Sequence, residues 1–203
     1  MAKTIQEILE VKDIREGVVI LKDNSLRGIL AVSSMNFALK SDEEQAAIIY
    51  QFQNFLNSLD FPIQILIQSR RINLTPYIEE LKSLEKKQSN ELLKMQTEDY
   101  RKFIESLAAK GIIMTKNFYV IVPFYPVPIK LKGKKGALNE KDFEAARFQL
   151  LQRMEFVATG LRRCGLACAP LGTQELIDLF WTHFHPEEAE VGYHPAIPPE
   201  LIV

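Results

Sequence analysis

The sequence predicts an α/β domain, with α+β as the alternative, built as an open sheet of about five strands with helices packed on it. Three observations carry that expectation. Short β-branched runs bounded by turn residues recur along the chain, and stretches with apolar residues at helical spacing separate the later runs. The resulting order, ββαβαβαβα, alternates the two kinds of element. At 203 residues the chain has the length of one domain, or of one domain with a small appendage, and it can bury a sizeable core without a disulfide or metal staple.

Val18-Val19-Ile20-Leu21 and the run from Leu26 to Val32 flank Lys22-Asp23-Asn24-Ser25, a cluster of turn formers, and so form a β-hairpin. Ser41-Asp42-Glu43-Glu44 then offers a cap and an acidic first turn. Behind it Ile48, Phe52, Phe55 and Leu59 recur at helical spacing, the buried face of a helix that Asp60-Phe61-Pro62 ends. Ile63, Ile65 and Ile67 alternate with Gln64, Leu66 and Gln68 in a third strand ending at Arg70-Arg71. Thr75 as cap and Pro76 behind it start the next helix. Its pattern persists to Ala109, before Gly111, but is wholly polar from Glu85 to Glu91. One helix of that length would span on the order of 50 Å, so either part of it projects as an arm or it breaks in two near Ser89-Asn90.

Residues 118–124 form the most apolar strand, and Pro123, Pro126 and Pro128 end it. A lysine-rich loop follows. Asn139 caps a further helix with Phe143, Ala146, Leu150, Met154, Val157 and Leu161 on one face, and Gly165 closes it. Residues 166–171 make a last short strand and 173–184 a last helix. The domain thus takes residues 1–185, and 186–203, with Pro195, Pro198 and Pro199, form an irregular tail.

Composition excludes more than it assigns. The 25 basic and 26 acidic side chains leave a net charge of −1, so no overall field draws nucleic acid and only a local basic patch would. The residues after Met1 lack the apolar segment of a signal peptide, and no stretch reaches the ~18 apolar residues of a membrane span. A cytoplasmic protein is expected, at the cytoplasmic face of the inner membrane if it serves a membrane complex.

The motifs of chemistry are also missing. The nearest match to a phosphate-binding loop, Gly133-Lys134-Lys135-Gly136-Ala137, has the wrong spacing and no Lys-Ser/Thr pair. The glycines are scattered, which leaves no dinucleotide fingerprint. Cys164 and Cys168, with His183, His185 and His194 downstream, do not follow a zinc-finger pattern; two core thiols and three solvent-facing histidines are the simpler reading. Acidic pairs such as Glu43-Glu44 and Glu79-Glu80 sit in first turns of helices, where they complement the dipole. No catalytic, cofactor or metal residue is assigned, and neither a cofactor nor a small-molecule substrate is expected.

What remains is surface for partners. The assigned contact residues are Arg70 and Arg71 at a strand end, Lys86 and Lys87 in the polar stretch of the long helix, and Lys130, Lys132, Lys134 and Lys135 in the basic loop. The loop suits an acidic protein or an anionic membrane face. The arm around Lys82 to Lys94 carries a thin apolar cover from Leu81, Leu84, Leu92, Met95 and Phe103, enough to offer a face to a partner. Two alternatives stand beside docking. A nucleic-acid-binding module would use the loop with Arg70-Arg71 and Arg162-Arg163, and would bind with steep salt dependence. An enzyme with an unrecognised site would show a deep pocket with convergent polar groups.

Several segments together resemble a known family. These are the hairpin Val18-Val19-Ile20-Leu21-Lys22-Asp23-Asn24-Ser25-Leu26-Arg27 with Val32-Ser33-Ser34-Met35-Asn36-Phe37-Ala38-Leu39-Lys40-Ser41, and Phe55-Leu56-Asn57-Ser58-Leu59-Asp60-Phe61-Pro62-Ile63-Gln64 with Ile67-Gln68-Ser69-Arg70. Phe118-Tyr119-Val120-Ile121-Val122-Pro123 and Leu161-Arg162-Arg163-Cys164-Gly165-Leu166 fit as well. Over roughly residues 8 to 185 the chain resembles the TraC-like N-terminal domain of the ATPases that power conjugative DNA transfer and type IV secretion. The resemblance implies a module of a motor at the base of a transfer channel, in which a separate C-terminal domain holds the Walker motifs. Its partners would be protein subunits of that apparatus, the ATPase among them, and further copies of itself. The chain would then be either a piece of a longer ATPase or a stand-alone paralogue, the Met start and the proline-rich tail slightly favouring the second as the expectation. No catalytic residue of the family has a matching position here.

Overall fold

The computed structural model describes residues 10–71, 74–109, 114–126 and 140–186. The loop with Lys130, Lys132, Lys134 and Lys135, the cap Asn139, His194 and the tail from 187 onward lie outside these residues. The elements are β1 (Val11–Arg15), β2 (Val18–Leu21), β3 (Leu26–Val32), α1 (Asp42–Ser58), β4 (Gln64–Arg71), α2 (Thr75–Lys87), α3 (Glu91–Ala109), β5 (Met114–Phe124), α4 (Glu140–Arg163), β6 (Cys168–Pro170) and α5 (Thr173–Phe184), with a 3-10 turn at Phe37–Leu39. The described residues fall into two compact units: one runs up to Ile67 and includes Asn117–Phe180, the other takes Gln68–Lys116 and the stretch from Trp181.

The expected mixed α/β architecture with an open sheet is present, with six strands rather than about five, in the order β1-β2-β3-β5-β4. β6 pairs with β3 beyond the end of β2, at Leu30–Pro170, Ala31–Ala169 and Val32–Cys168. The β1–β2, β2–β3, β3–β5 and β3–β6 pairs are all antiparallel. The added strand is β1, joined to β2 by Glu16 and Gly17 with φ of 51° and 73°. Two successive residues with positive φ are what a two-residue hairpin turn needs to match the twist of its strands. The next turn is held by Asp23, whose carboxylate accepts from the Ser25 N–H at 2.8 Å and from its hydroxyl at 2.5 Å, while Asn24 takes a φ of 64°.

Helix ends follow local chemistry. Ser41 and Glu44 form a reciprocal capping box: the Glu44 N–H donates to the Ser41 hydroxyl at 3.3 Å, and the Ser41 N–H donates to the Glu44 carboxylate at 3.0 Å. α2 has Pro76 in its first turn, but the cap position falls on Leu74, one residue ahead of Thr75. Gly165, at φ 83°, ends α4. Its N–H donates to the Arg162 carbonyl and the Leu166 N–H to the Leu161 carbonyl, the two bonds of a Schellman motif.

Strand alternation builds the core of the first unit on both faces of its sheet. On one face Val18, Leu26, Leu30 and Val122 meet Phe143, Leu150 and Val157 of α4 and Phe55 of α1, all essentially buried. On the other, Val19 and Ile29 pack with Leu176 and Leu179 of α5. Two glycines permit the closest approaches. A Cβ on Gly28 of β3 would overlap the Met154 thioether, and one on Gly160 of α4 would overlap the Phe55 ring. Truncating a large buried residue in this layer, such as Leu150, typically costs about 2–5 kcal/mol.

Candidate docking surface on the helical hairpin

The second unit is organised by α2 and α3, which pack on each other across residues 88–90. Of the two expectations for this stretch, one long projecting helix or two helices broken near Ser89-Asn90, the second holds. Asn90 sets the break. Its side-chain oxygen accepts from the Leu92 N–H at 3.0 Å and its carbonyl accepts from the Lys94 N–H, which caps α3. Partners ascend α2 as they descend α3: Lys82 stands 3.8 Å from Glu105, Glu85 bonds Arg101 at 3.1 Å, and Gln88 bonds Thr97 at 3.0 Å; the Tyr77 and Tyr100 hydroxyls, 3.3 Å apart, join outside that ladder. The two helices are antiparallel.

Arg101 is the electrostatic centre of the hairpin. Its guanidinium donates to Glu105 at 2.9 Å and to Glu85 at 3.1 Å, and Lys82 stands 3.8 Å from Glu105. The hydrogen bonds to Glu105 and then Glu85 push the Arg101 pKa further up, and the guanidinium is charged in any case. Lys102 and Glu98, 2.8 Å apart, favour each other's charged form: their hydrogen bond raises the lysine pKa and lowers the glutamate pKa. The Tyr100 hydrogen bond raises the Tyr77 pKa.

The apolar residues behave differently from a core stripe. Leu81 is the buried residue of α2, and no described side chain of α3 is buried. Leu84, Leu92, Leu93, Met95 and Phe103 are 45%, 77%, 52%, 63% and 56% exposed. Leu92 and Phe103 lie three turns apart, so they share one side of α3. Among the described residues the hairpin joins a polar clamp to buried Leu81 and half-buried Ile78, Ile104 and Leu107, and it turns much of its apolar surface outward. Exposed apolar side chains grouped on one element mark a contact face more often than scattered ones do.

Among the described residues the assigned basic pairs sit on different elements. Arg70 and Arg71 end β4, just before α2, whereas Lys86 and Lys87 occupy the last turn of α2, exposed and complementing its dipole. The length of α2 from Thr75 to Lys86, about 17 Å at 1.5 Å per residue, separates the two pairs. Arg162 is engaged with Glu155 at 2.8 Å. Leu93 of the exposed set, and beside that set the 46% exposed Tyr100, were not singled out from the sequence. The signal available there was the side of α3 they occupy, since at about 100° per residue Leu93 and Tyr100 fall in the same half of the helix as Leu92, Met95 and Phe103.

The reading of the thiols holds for Cys164, which is buried with its Sγ 3.5 Å from the Gly160 carbonyl; Cys168 is half-buried in β6. Burial pushes both thiol pKa values up, away from reactive thiolate. His183 is exposed, but His185 is not solvent-facing as expected: its ring stacks on Trp181 with centroids 3.7 Å apart. In the first unit an open cleft of about 520 Å³ lies against Asp60, Phe61, Phe124, Gln149 and Arg153. Arg153 is committed there, its guanidinium over the Phe61 and Phe124 rings and donating to the Pro123 carbonyl at 3.0 Å. Among the described residues no helix is long and apolar enough to cross a membrane.

A family model described as an archaeal TraC-like domain matches residues 12–186. No curated protein matches the sequence. The match covers most of the chain, and the chain belongs to the TraC-like family.

Proposed function

From its membership of the TraC-like family, we propose that this domain is a non-catalytic assembly module of a conjugative-transfer or secretion apparatus, acting from the cytoplasmic side of its membrane. In this reading the α2–α3 hairpin docks on a protein subunit of the apparatus, its motor ATPase being the first expectation. The observation that carries the proposal is the outward apolar set Leu84, Leu92, Leu93, Met95 and Phe103 on a hairpin clamped by Arg101 with Glu85 and Glu105. Desolvating such residues against a partner supplies the driving force, and the surrounding charges give register and specificity.

A photo-crosslinking residue placed at Leu92 tests the surface in cells, with the same residue at Glu43 in α1 as the control. The expected adduct from Leu92 alone is with a subunit of the transfer apparatus. Equal adducts from both positions, or none from Leu92, would contradict the hairpin assignment. ATP hydrolysis by the purified chain, lost on further purification to homogeneity, is compatible with the proposal; hydrolysis that tracks the chain is not.

A further inference from the structure

β4 closes one side of the sheet, and among the described residues no strand pairs with its outer edge. Such an edge presents a row of unpaired N–H and C=O groups, which proteins commonly blunt with charge, proline or a bulge. Residues 63–69, Ile-Gln-Ile-Leu-Ile-Gln-Ser, contain neither charge nor proline. Ile65 and Ile67, on the strand face shared with Ile63, are each 58% exposed. Among the described residues the edge carries no further strand, and it is neutral and apolar on one face.

The centre of this edge, Gln64-Ile65-Leu66-Ile67-Gln68, reads the same in both directions. Two identical strands paired antiparallel about an axis at Leu66 set Ile65 against Ile67, Gln64 against Gln68, and Leu66 against itself. Isoleucines standing directly opposite come within about 5 Å at Cβ, so four of them would cover one another on a face that is exposed in the single chain. In an antiparallel ladder the N–H and C=O of a residue point to the same side, so this symmetric register matches each outward donor to an acceptor. Arg70 lies four positions from the axis. Its counterpart in the other copy is then roughly 26 Å away, which removes like-charge repulsion. A palindrome favours the same strand over a foreign one, because only the same strand repeats every match across a two-fold axis.

We propose that the chain self-associates by antiparallel pairing of β4 with β4 of a second copy about Leu66, continuing the sheet across the dimer. The proposal is independent of hairpin docking, since α2 and α3 contribute nothing to it. Sedimentation of the full chain over a roughly hundred-fold dilution tests it. The wild type is expected to pass from dimer to monomer on dilution. I65K/I67K, which sets lysine against lysine at both facing positions, is expected to stay monomeric with an unchanged circular-dichroism spectrum. I65K/I67E, which sets lysine against glutamate, is expected to recover a dimer that weakens with salt. A wild type that is monomeric throughout, or a dimer that survives in I65K/I67K, overturns the proposal. Amide exchange in the wild type gives a reading free of substitution: β4 amides slow at high concentration and fast on dilution support it, and concentration-independent exchange overturns it.

Discussion

At Gly160 a single carbon decides how α1 meets α4. An added Cβ would overlap Cδ2 of the Phe55 ring, a rigid, buried group that cannot bend away as the Met154 thioether beside Gly28 can. Gly160→Ala is therefore expected to destabilise the chain by about 1–3 kcal/mol, and Gly28→Ala by less, as read from urea denaturation midpoints. Asp23 gives a residue-scale test with a sign. The Ser25 hydroxyl, then the Ser25 N–H, hold its carboxyl below the ordinary value of 3.8. A depressed folded pKa contributes stability that is fully present above the unfolded value and is lost as pH falls through the folded one. The stability gap between wild type and Asp23→Asn is expected to be largest near neutrality and to shrink as pH drops below about 3.8. A gap that is constant with pH would remove Asp23 from the turn's energetics.

At the scale of elements, the α2–α3 hairpin depends on its break. Asn90→Ala removes the side-chain acceptor of the Leu92 N–H, a cap typically contributing about 1 kcal/mol. Earlier proteolysis between α2 and α3, without loss of the sheet's circular-dichroism signal, is the expected outcome. The elements also show what the chain disclosed locally. Ser41 with Glu44, Gly165 after α4 and the turn formers before Leu26 act within a few residues, so their consequences could be read in order along the chain. β1 could not. Val-Lys-Asp-Ile-Arg is half polar, its register slips between Val11 and Asp13, and its turn uses Glu16 where asparagine or aspartate would have signalled a hairpin. Arg70 and Lys86 looked equivalent as basic residues, but the length of α2 separates them, a consequence of tertiary layout. Nor could exposure on α3 be read from its composition. Whether Leu92 or Phe103 is covered depends on which face α2 occupies, and α2 takes the face of Thr97 and Arg101.

For the molecule as a whole, the sheet of the first unit carries both buried layers, and the hairpin of the second unit carries a polar clamp beneath outward apolar residues. That division fits a domain whose stability and contacts reside in different parts of the chain. Exposed substitutions on the hairpin should then alter binding while leaving thermal stability nearly unchanged, since surface changes away from packed features usually stay within about 0.5 kcal/mol. The most direct measurement is a calorimetric titration of the chain against the purified motor ATPase of its apparatus, for the wild type and for L92E/F103E. The account predicts saturable binding by the wild type and at least a roughly tenfold loss in the variant, with equal melting temperatures. Undiminished binding by L92E/F103E would contradict it.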